Sequence, residues 1–297
     1  MQIQSLSICV PSKCFNKCKF CVSTLHPDKT QNLIENEFEF SDLHHKDYKD
    51  CMGFARDNGC NTLMFTGDGE PLMNKNFIET VSAINNSLDS PFRWIELQTA
   101  GYKLQEEIEG RNKYLRWLRN MIRVKIISLS LSSIFSSDDN AICNQTPNSL
   151  KIDIEKTCSE IKRFDFTLRL SLNMTDFYNS ITPEKIFLRA TKLGADQITF
   201  RKLYKTPGLE DNPVNNFIDN HSCDKATMKN IEEFIITNGR ELEVLPFGAM
   251  KYSVNGISTV LDIDCMSEGT KPQLKYLILR QNCKLYSKWD DLGSILF

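Results

Sequence analysis

Near the start of the chain three cysteines stand within eight residues, in Cys14-Phe15-Asn16-Lys17-Cys18-Lys19-Phe20-Cys21. Thiolates are soft ligands that suit zinc or iron–sulfur clusters. Intervals of three and two residues let one short loop wrap around a compact metal centre. Three thiolates can hold three corners of a cubane and leave one iron open, and an open position is what catalysis at a metal requires. A structural zinc site is the other reading, with His26, five residues beyond Cys21, as fourth ligand. A second segment, Thr66-Gly67-Asp68-Gly69-Glu70-Pro71-Leu72, ends an apolar run. Gly67 and Gly69 permit backbone conformations or close approaches that a Cβ would obstruct. Its carbonyls and the Glu70 carboxylate would then face an ammonium group. By itself such a turn is equally an ordinary strand-to-helix loop.

Cys14, Cys18 and Cys21, with the aromatic Phe20 before the last cysteine, resemble the signature of the radical S-adenosylmethionine superfamily. The Gly67–Glu70 turn is similar to the family's Gly-Gly-Glu segment, with Asp68 at the middle position, and follows the cysteines in the family's order. The resemblance implies a 4Fe–4S cluster on the three cysteines. It also implies S-adenosylmethionine bound through its amino group by the turn, and cleavage of that cosubstrate to a 5′-deoxyadenosyl radical. Zinc alone would not call for the glycine turn. Further positions match: Thr99 in Gln98-Thr99-Ala100-Gly101 is similar to a Thr-Asn-Gly segment, and Ser130 in Ser130-Leu131-Ser132-Ser133 resembles a Ser-Leu-Asp segment. Asn173 and Arg201 point at the same rim. An external electron donor of flavodoxin or ferredoxin type is implied as well. The resemblance covers roughly residues 5–205.

Those segments need a scaffold. Short apolar runs alternate with amphipathic stretches, the pattern of β/α units around a parallel sheet. Strands are expected over Ser5–Val10, Thr62–Thr66, Phe92–Thr99, Val124–Leu131, Phe166–Asn173 and Gln197–Leu203. Helices are expected over Ser41–Asn58, Asn74–Leu88, Asn112–Met121, Leu150–Arg163, Pro183–Leu193 and Asp224–Asn238. Thr182-Pro183 reads as a cap and first-turn proline, with Gly194 as the stop. Six strands are too few for a closed eightfold barrel, so the reading is an α/β, partial (β/α)6 TIM-like open barrel. Right-handed crossovers place all the strand C-termini on one rim, where the site forms. Residues 206–297, rich in turns and with a hairpin signal at Asn255-Gly256, read as a C-terminal β-rich extension packed on a core of residues 1–205.

With 297 residues, 41% hydrophobic and 25% charged, the chain has the composition of a soluble globular protein. A net charge of -2 argues against a long nucleic acid as substrate. No run approaches the roughly 18 apolar residues of a membrane span, and the N-terminus lacks a signal-peptide pattern, so a cytoplasmic location is expected. A small molecule or nucleotide is favoured as substrate over a peptide, for want of a peptide-binding domain. A non-catalytic zinc-binding interaction module is the third hypothesis.

Eleven cysteines, an odd number mostly far apart, fit a disulfide framework poorly. Cys223, Cys265 and Cys283 lie too far apart for a second cluster, and Cys9, Cys51, Cys60, Cys143 and Cys158 read as buried apolar or incidental positions. Arg116, Arg119 and Arg123 share a helix face by spacing, read as solvent-facing rather than as a phosphate patch. The tail Tyr286–Asp291 is expected to cover the open sheet edge.

Overall fold

The computed structural model describes residues 3–21, 23, 42–108, 113–205, 212–245, 248–262, 276–289 and 292–296. Six strands follow one another in space as in sequence: β1 (Ser5–Cys9), β2 (Thr62–Thr66), β3 (Trp94–Thr99), β4 (Ile126–Leu131), β5 (Thr167–Met174) and β6 (Gln197–Lys202). All pair in parallel. Helices α1 (Asp42–Asp57), α2 (Lys75–Asn86), α3 (Tyr102–Ile108), α4 (Lys113–Trp117), α5 (Ser137–Cys143), α6 (Ile154–Arg163) and α7 (Pro183–Lys192) fall between them. After β6 come α8 (Pro213–His221), α9 (Lys225–Asn238) and the strands β7 (Gly239–Val244), β8 (Met250–Val254) and β9 (Ile257–Asp262). β10 (Tyr276–Leu279) and β11 (Leu285–Tyr286) complete the order.

The later strands extend both edges of the same sheet. β10 runs parallel to β1, and β9 runs parallel to β6, with β11 and the β7–β8 hairpin added antiparallel outside them. The barrel stays open, because the described sheet ends on β11 at one side and β7 at the other.

Strict alternation along the strands separates two faces. Leu6, Ile8, Leu63, Phe65, Leu97, Leu129, Leu170 and Phe200 are wholly buried in the apolar core that the helices cover. The intervening positions, Ser5 and Ser7, Thr62 and Thr66, Glu96 and Gln98, Arg169, Gln197, Thr199 and Arg201, line the opposite, lumenal side. Strands buried on both faces in parallel sheets are ordinarily apolar throughout. Here the inner face is mixed, with polar side chains outnumbering apolar ones such as Met64, Ile126 and Val260.

Helix starts follow local capping chemistry. Asn74 accepts from Phe77 N at 3.1 Å, Ser136 from Asp139 N at 3.1 Å, and Asp153 from Lys156 N at 3.0 Å. Asp153 therefore begins α6 at Ile154, later than Leu150, and residues 148–150 form a separate 3-10 turn. The helix expected over Asn112–Met121 is α-helical only to Trp117 and then a π turn over Leu118–Ile122. Arg123 closes it in the left-handed region (φ 63°), so Arg116, Arg119 and Arg123 do not share one helical face. Arg119 pairs with Asp165 at 2.6 Å. Helices α3, α5 and α8 were not anticipated. Asn212-Pro213 begins α8 with the cap-and-proline signal already read at Thr182-Pro183. Asn255 (φ 51°) and Gly256 (φ 82°) form the expected two-residue hairpin turn. Cys265, Pro246-Phe247 and Asp290-Asp291 lie outside the described residues.

Phe187 on α7, 1% exposed, stacks its ring 5.9 Å from Phe200 on β6 and 5.4 Å from Phe234 on α9. Phe187→Ala should lower stability by about 3–5 kcal/mol, measured by urea denaturation, with one shifted transition. Two transitions of which only one moves would show that α9 and the residues beyond it do not share this core.

Candidate functional site

The loop after β1 carries the three cysteines and is held from four sides. Val10 N donates to Thr66 O at 2.8 Å, Glu70 N to Lys13 O at 3.2 Å, and Asn74 Nδ2 to Pro11 O at 2.7 Å, all from the turn after β2. Phe15 N donates to the Tyr102 hydroxyl at 3.4 Å, at the start of α3. Asn144, capping α5, accepts from Lys17 N at 3.1 Å and from the Cys18 thiol at 3.5 Å through its carbonyl. Phe20 is buried with Leu203, Ile218 and Phe217, the last ring 6.3 Å away on α8. A loop tied at so many points keeps its thiols in place before any ligand arrives.

Gly67 and Gly69 explain how two backbones pass so closely. A Cβ on Gly67 would lie 2.5 Å from Val10 O, and one on Gly69 would lie 2.0 Å from Ser12 O. Both contacts are to main chain, which cannot swing aside. The glycines thus seat the cysteine loop directly on the turn.

Glu70 is buried, and its carboxylate faces into the sheet. Thr99 Oγ1 donates to it at 2.5 Å, Ala100 N at 2.8 Å and Leu72 N at 3.3 Å. Burial raises its proton affinity above the usual carboxylate range against the opposing pull of these three donors. Thr99 also accepts from Gly101 N at 3.0 Å, so it joins Glu70 to the bend after β3. Asp68 takes a different direction. Its Oδ2 accepts from Arg280 at 3.1 Å and from the Cys9 thiol at 3.3 Å. Arg280, buried just beyond β10, also donates to Trp289 O at 2.8 Å and lies over the rings of Tyr286 and Trp289. The tail thereby covers the β10 edge, as expected, and is tied to the middle residue of the glycine turn.

Ser130 and Asn173 meet across β4 and β5. Asn173 Nδ2 donates to Ser130 Oγ at 3.3 Å and to Ser132 Oγ at 3.4 Å, and Ser132 donates to Asn144 Oδ1 at 2.7 Å. A polar chain therefore links the ends of these strands to Asn144 and so to Cys18. The structure brings Cys14, Cys18, Cys21, Gly67, Asp68, Gly69, Glu70 and Thr99 to one rim, with Ser130 and Asn173 joined through Asn144 and Phe20 on the α8 side. Tyr102, Asn144 and Arg280 carry no local signal for this role, and Asn74 is read in the sequence only as a helix start. Only Asn74, as a cap three residues before Phe77, carried a readable signal.

Desolvation pushes the half-buried Cys18 thiol up, with the neighbouring thiols adding repulsion. Three thiols on one short loop are a donor set that suits a metal–thiolate site. Among the described residues no three His, Cys, Asp or Glu side chains converge as on a single metal ion. His26 lies outside the described residues. In a cubane each thiolate binds its own iron, so the sulfurs need not converge on one point. Cys9, Cys51, Cys60, Cys158 and Cys283 are buried, and Cys143 and Cys223 half-buried.

No protein-family model matches the sequence, and no curated protein does. Solved structures do. The chain matches native anSMEcpe with bound AdoMet over 96% of its own length and 74% of that chain, at 13% identity and a TM-score of 0.55. It matches native anSMEcpe with bound AdoMet and Cp18Cys peptide over 98% of its length and 75% of that chain, at 12% identity and a TM-score of 0.56. These likenesses show that the chain has the open-barrel fold of those proteins.

Two outcomes follow from the rim. Gly69→Ala should cost more stability than Gly67→Ala, since its methyl group meets the nearer carbonyl. Thermal melting of both variants checks the order, and equal or reversed losses would refute the close approach. For Glu70, a raised folded pKa means that its contribution to stability is full below the ordinary value of 4.5 and lost as pH rises through the raised value. The melting temperature of Glu70→Gln relative to the parent should therefore climb from pH 4.5 towards neutrality. A difference that shrinks as pH rises would show that the three donors outweigh burial.

Proposed function

We propose that this chain is a radical S-adenosylmethionine enzyme. The observation that carries the reading is the cysteine loop seated by backbone contact on the Gly67–Glu70 turn. Cys14, Cys18 and Cys21 would hold a 4Fe–4S cluster, and Gly67, Asp68, Gly69, Glu70, Thr99, Ser130, Asn173 and Phe20 would form the S-adenosylmethionine site. When bound, the cluster supplies the electron that cleaves the cosubstrate to methionine and a 5′-deoxyadenosyl radical, which takes hydrogen from the substrate. The likeness of fold to a protein solved with bound AdoMet supports the reading.

The chain's own residues position and shield. The turn over 67–69 packs on the main chain of the cysteine loop, and its carbonyls would receive an ammonium group. Thr99 and Ala100 fix the Glu70 carboxylate, so the turn keeps its shape. Asn144 holds Cys18 in register with β4 and β5. Exclusion of water falls to the apolar cluster of Phe20, Leu203 and Ile218 on one side and to Trp289 and Tyr286 on the other. Lys13, Lys17 and Lys19 are exposed around the exposed Cys14. They suit an acidic flavodoxin- or ferredoxin-like electron donor by charge complementarity.

The substrate we favour is a small molecule or nucleotide, in keeping with a lumenal cavity of about 270 Å³. A peptide is the second reading, because one matched structure holds a Cp18Cys peptide. We place the protein in the cytoplasm; no described helix is long and apolar enough to cross a membrane. Residues 1–205 serve as the catalytic core, and the following strands flank it.

Anaerobic reconstitution should load about four iron and four sulfide per chain, and reductant with S-adenosylmethionine should then yield 5′-deoxyadenosine. Cys14→Ala, Cys18→Ala or Cys21→Ala should each abolish that product. Uptake of zinc without iron and sulfide would sink the proposal in favour of a zinc-binding interaction module. Mass detection of 5′-deoxyadenosine formed together with loss of a candidate metabolite or peptide separates the two substrate classes.

A further inference from the structure

Polar side chains cross the lumen in a bonded line. Thr66 donates to Gln98, Gln98 to Glu96, and Arg169 reaches both oxygens of Glu96 at 2.6 Å while its Nε donates to Gln197 at 2.8 Å. Glu96 is 1% exposed, so Arg169 neutralises a buried charge. Lys251, also on the wall, pairs with Glu243 at 2.8 Å. Arg201 on β6 is different. It lines the same cavity, makes no ion pair or hydrogen bond among the described residues, and buries its Nε without a partner. Nearby on the lumenal positions of β4 and β5, Ser128 (1% exposed) and Ser171 (3%) also hold hydroxyls without partners. The register sets Ser171 beside Ser130 and Thr199, and Asn173 beside Arg201. A guanidinium that no described acid pairs, with the unpartnered Ser171 hydroxyl two positions before its strand neighbour Asn173, is costly unless a ligand satisfies it. Its planar donors suit a carboxylate or phosphate.

We propose that the barrel lumen holds an oxyanion subsite at Arg201 that takes the carboxylate or phosphate group of a small polar substrate. Only the assignment of that ligand as substrate rests on the radical reading above. The anion itself has two possible sources, substrate or the carboxylate of S-adenosylmethionine.

Melting of the reconstituted protein in rising inorganic phosphate tests the subsite. Phosphate should raise the melting temperature of the parent. Arg201→Gln should melt higher than the parent without phosphate, because an unpaired charge is gone, and should bind phosphate about tenfold or more weakly, the worth of a charge-assisted bond. Arg201→Lys should keep part of the phosphate shift. An Arg201→Gln protein that melts lower, in a parent indifferent to phosphate, would overturn the proposal. Isothermal titration with S-adenosylmethionine distinguishes the sources. Unchanged affinity in Arg201→Gln supports the substrate assignment, and lost affinity overturns it. Iron is assayed in parallel: a chain without iron defeats the radical reading, while the melting series still decides the anion site.

Discussion

The main chain of the turn after β2 runs so close to that of the loop after β1 that no side chain fits between them at Gly69 or Gly67. The rest of the rim depends on this contact. It lets Glu70 N bond Lys13 O and Asn74 reach Pro11 O, and so seats the cysteine loop on the turn. Glu70 then braces the turn from below through Thr99, the last residue of β3, and Ala100 after it. A carboxylate held inside the fold is expensive, and three donors limit that cost while fixing one geometry. The thiol loop and the glycine turn are therefore a single rigid body built from two distant stretches of sequence.

The inner and outer faces of the sheet divide labour. The outer face supplies the apolar burial that stabilises the fold, through Leu6, Phe65, Leu97, Leu170 and Phe200. The inner face gives up that contribution in exchange for polar groups, of which Glu96 and Arg169 satisfy each other and Arg201 does not. Buried polar groups are retained where they serve recognition, since an apolar lining of the same volume would stabilise the fold at least as well.

Much of this was legible. The six central strands, the cap and stop of α7 and the Asn255-Gly256 hairpin carry local signals, and the structure places them as those signals require; the three cysteines and the glycine turn are legible as motifs, and the structure packs one on the other. What was not legible depends on contacts between distant residues. Nothing near Asn144 says that it will meet Cys18, and nothing near Arg280 says that it will meet Asp68, because each pair is joined only by the sheet order. The π turn at Leu118–Ile122 escaped because its side chains keep an apolar spacing close to that of an α-helix. The polar lumen was available in the alternation of Thr167-Leu168-Arg169-Leu170-Ser171-Leu172-Asn173. That run reads as an ordinary half-exposed strand until its polar side is known to face inward.

The pairing of β10 with β1 has a consequence for how the molecule is made. β1 is synthesised well before its neighbour on one side, Tyr276–Leu279. At ordinary rates of translation, roughly 5–20 residues per second, some tens of seconds separate the two. Throughout that interval β1 has an unpaired edge, and Arg280, Tyr286 and Trp289 have yet to cover Asp68. The Asp68 side of the glycine turn is thus made well before the residues that cover it.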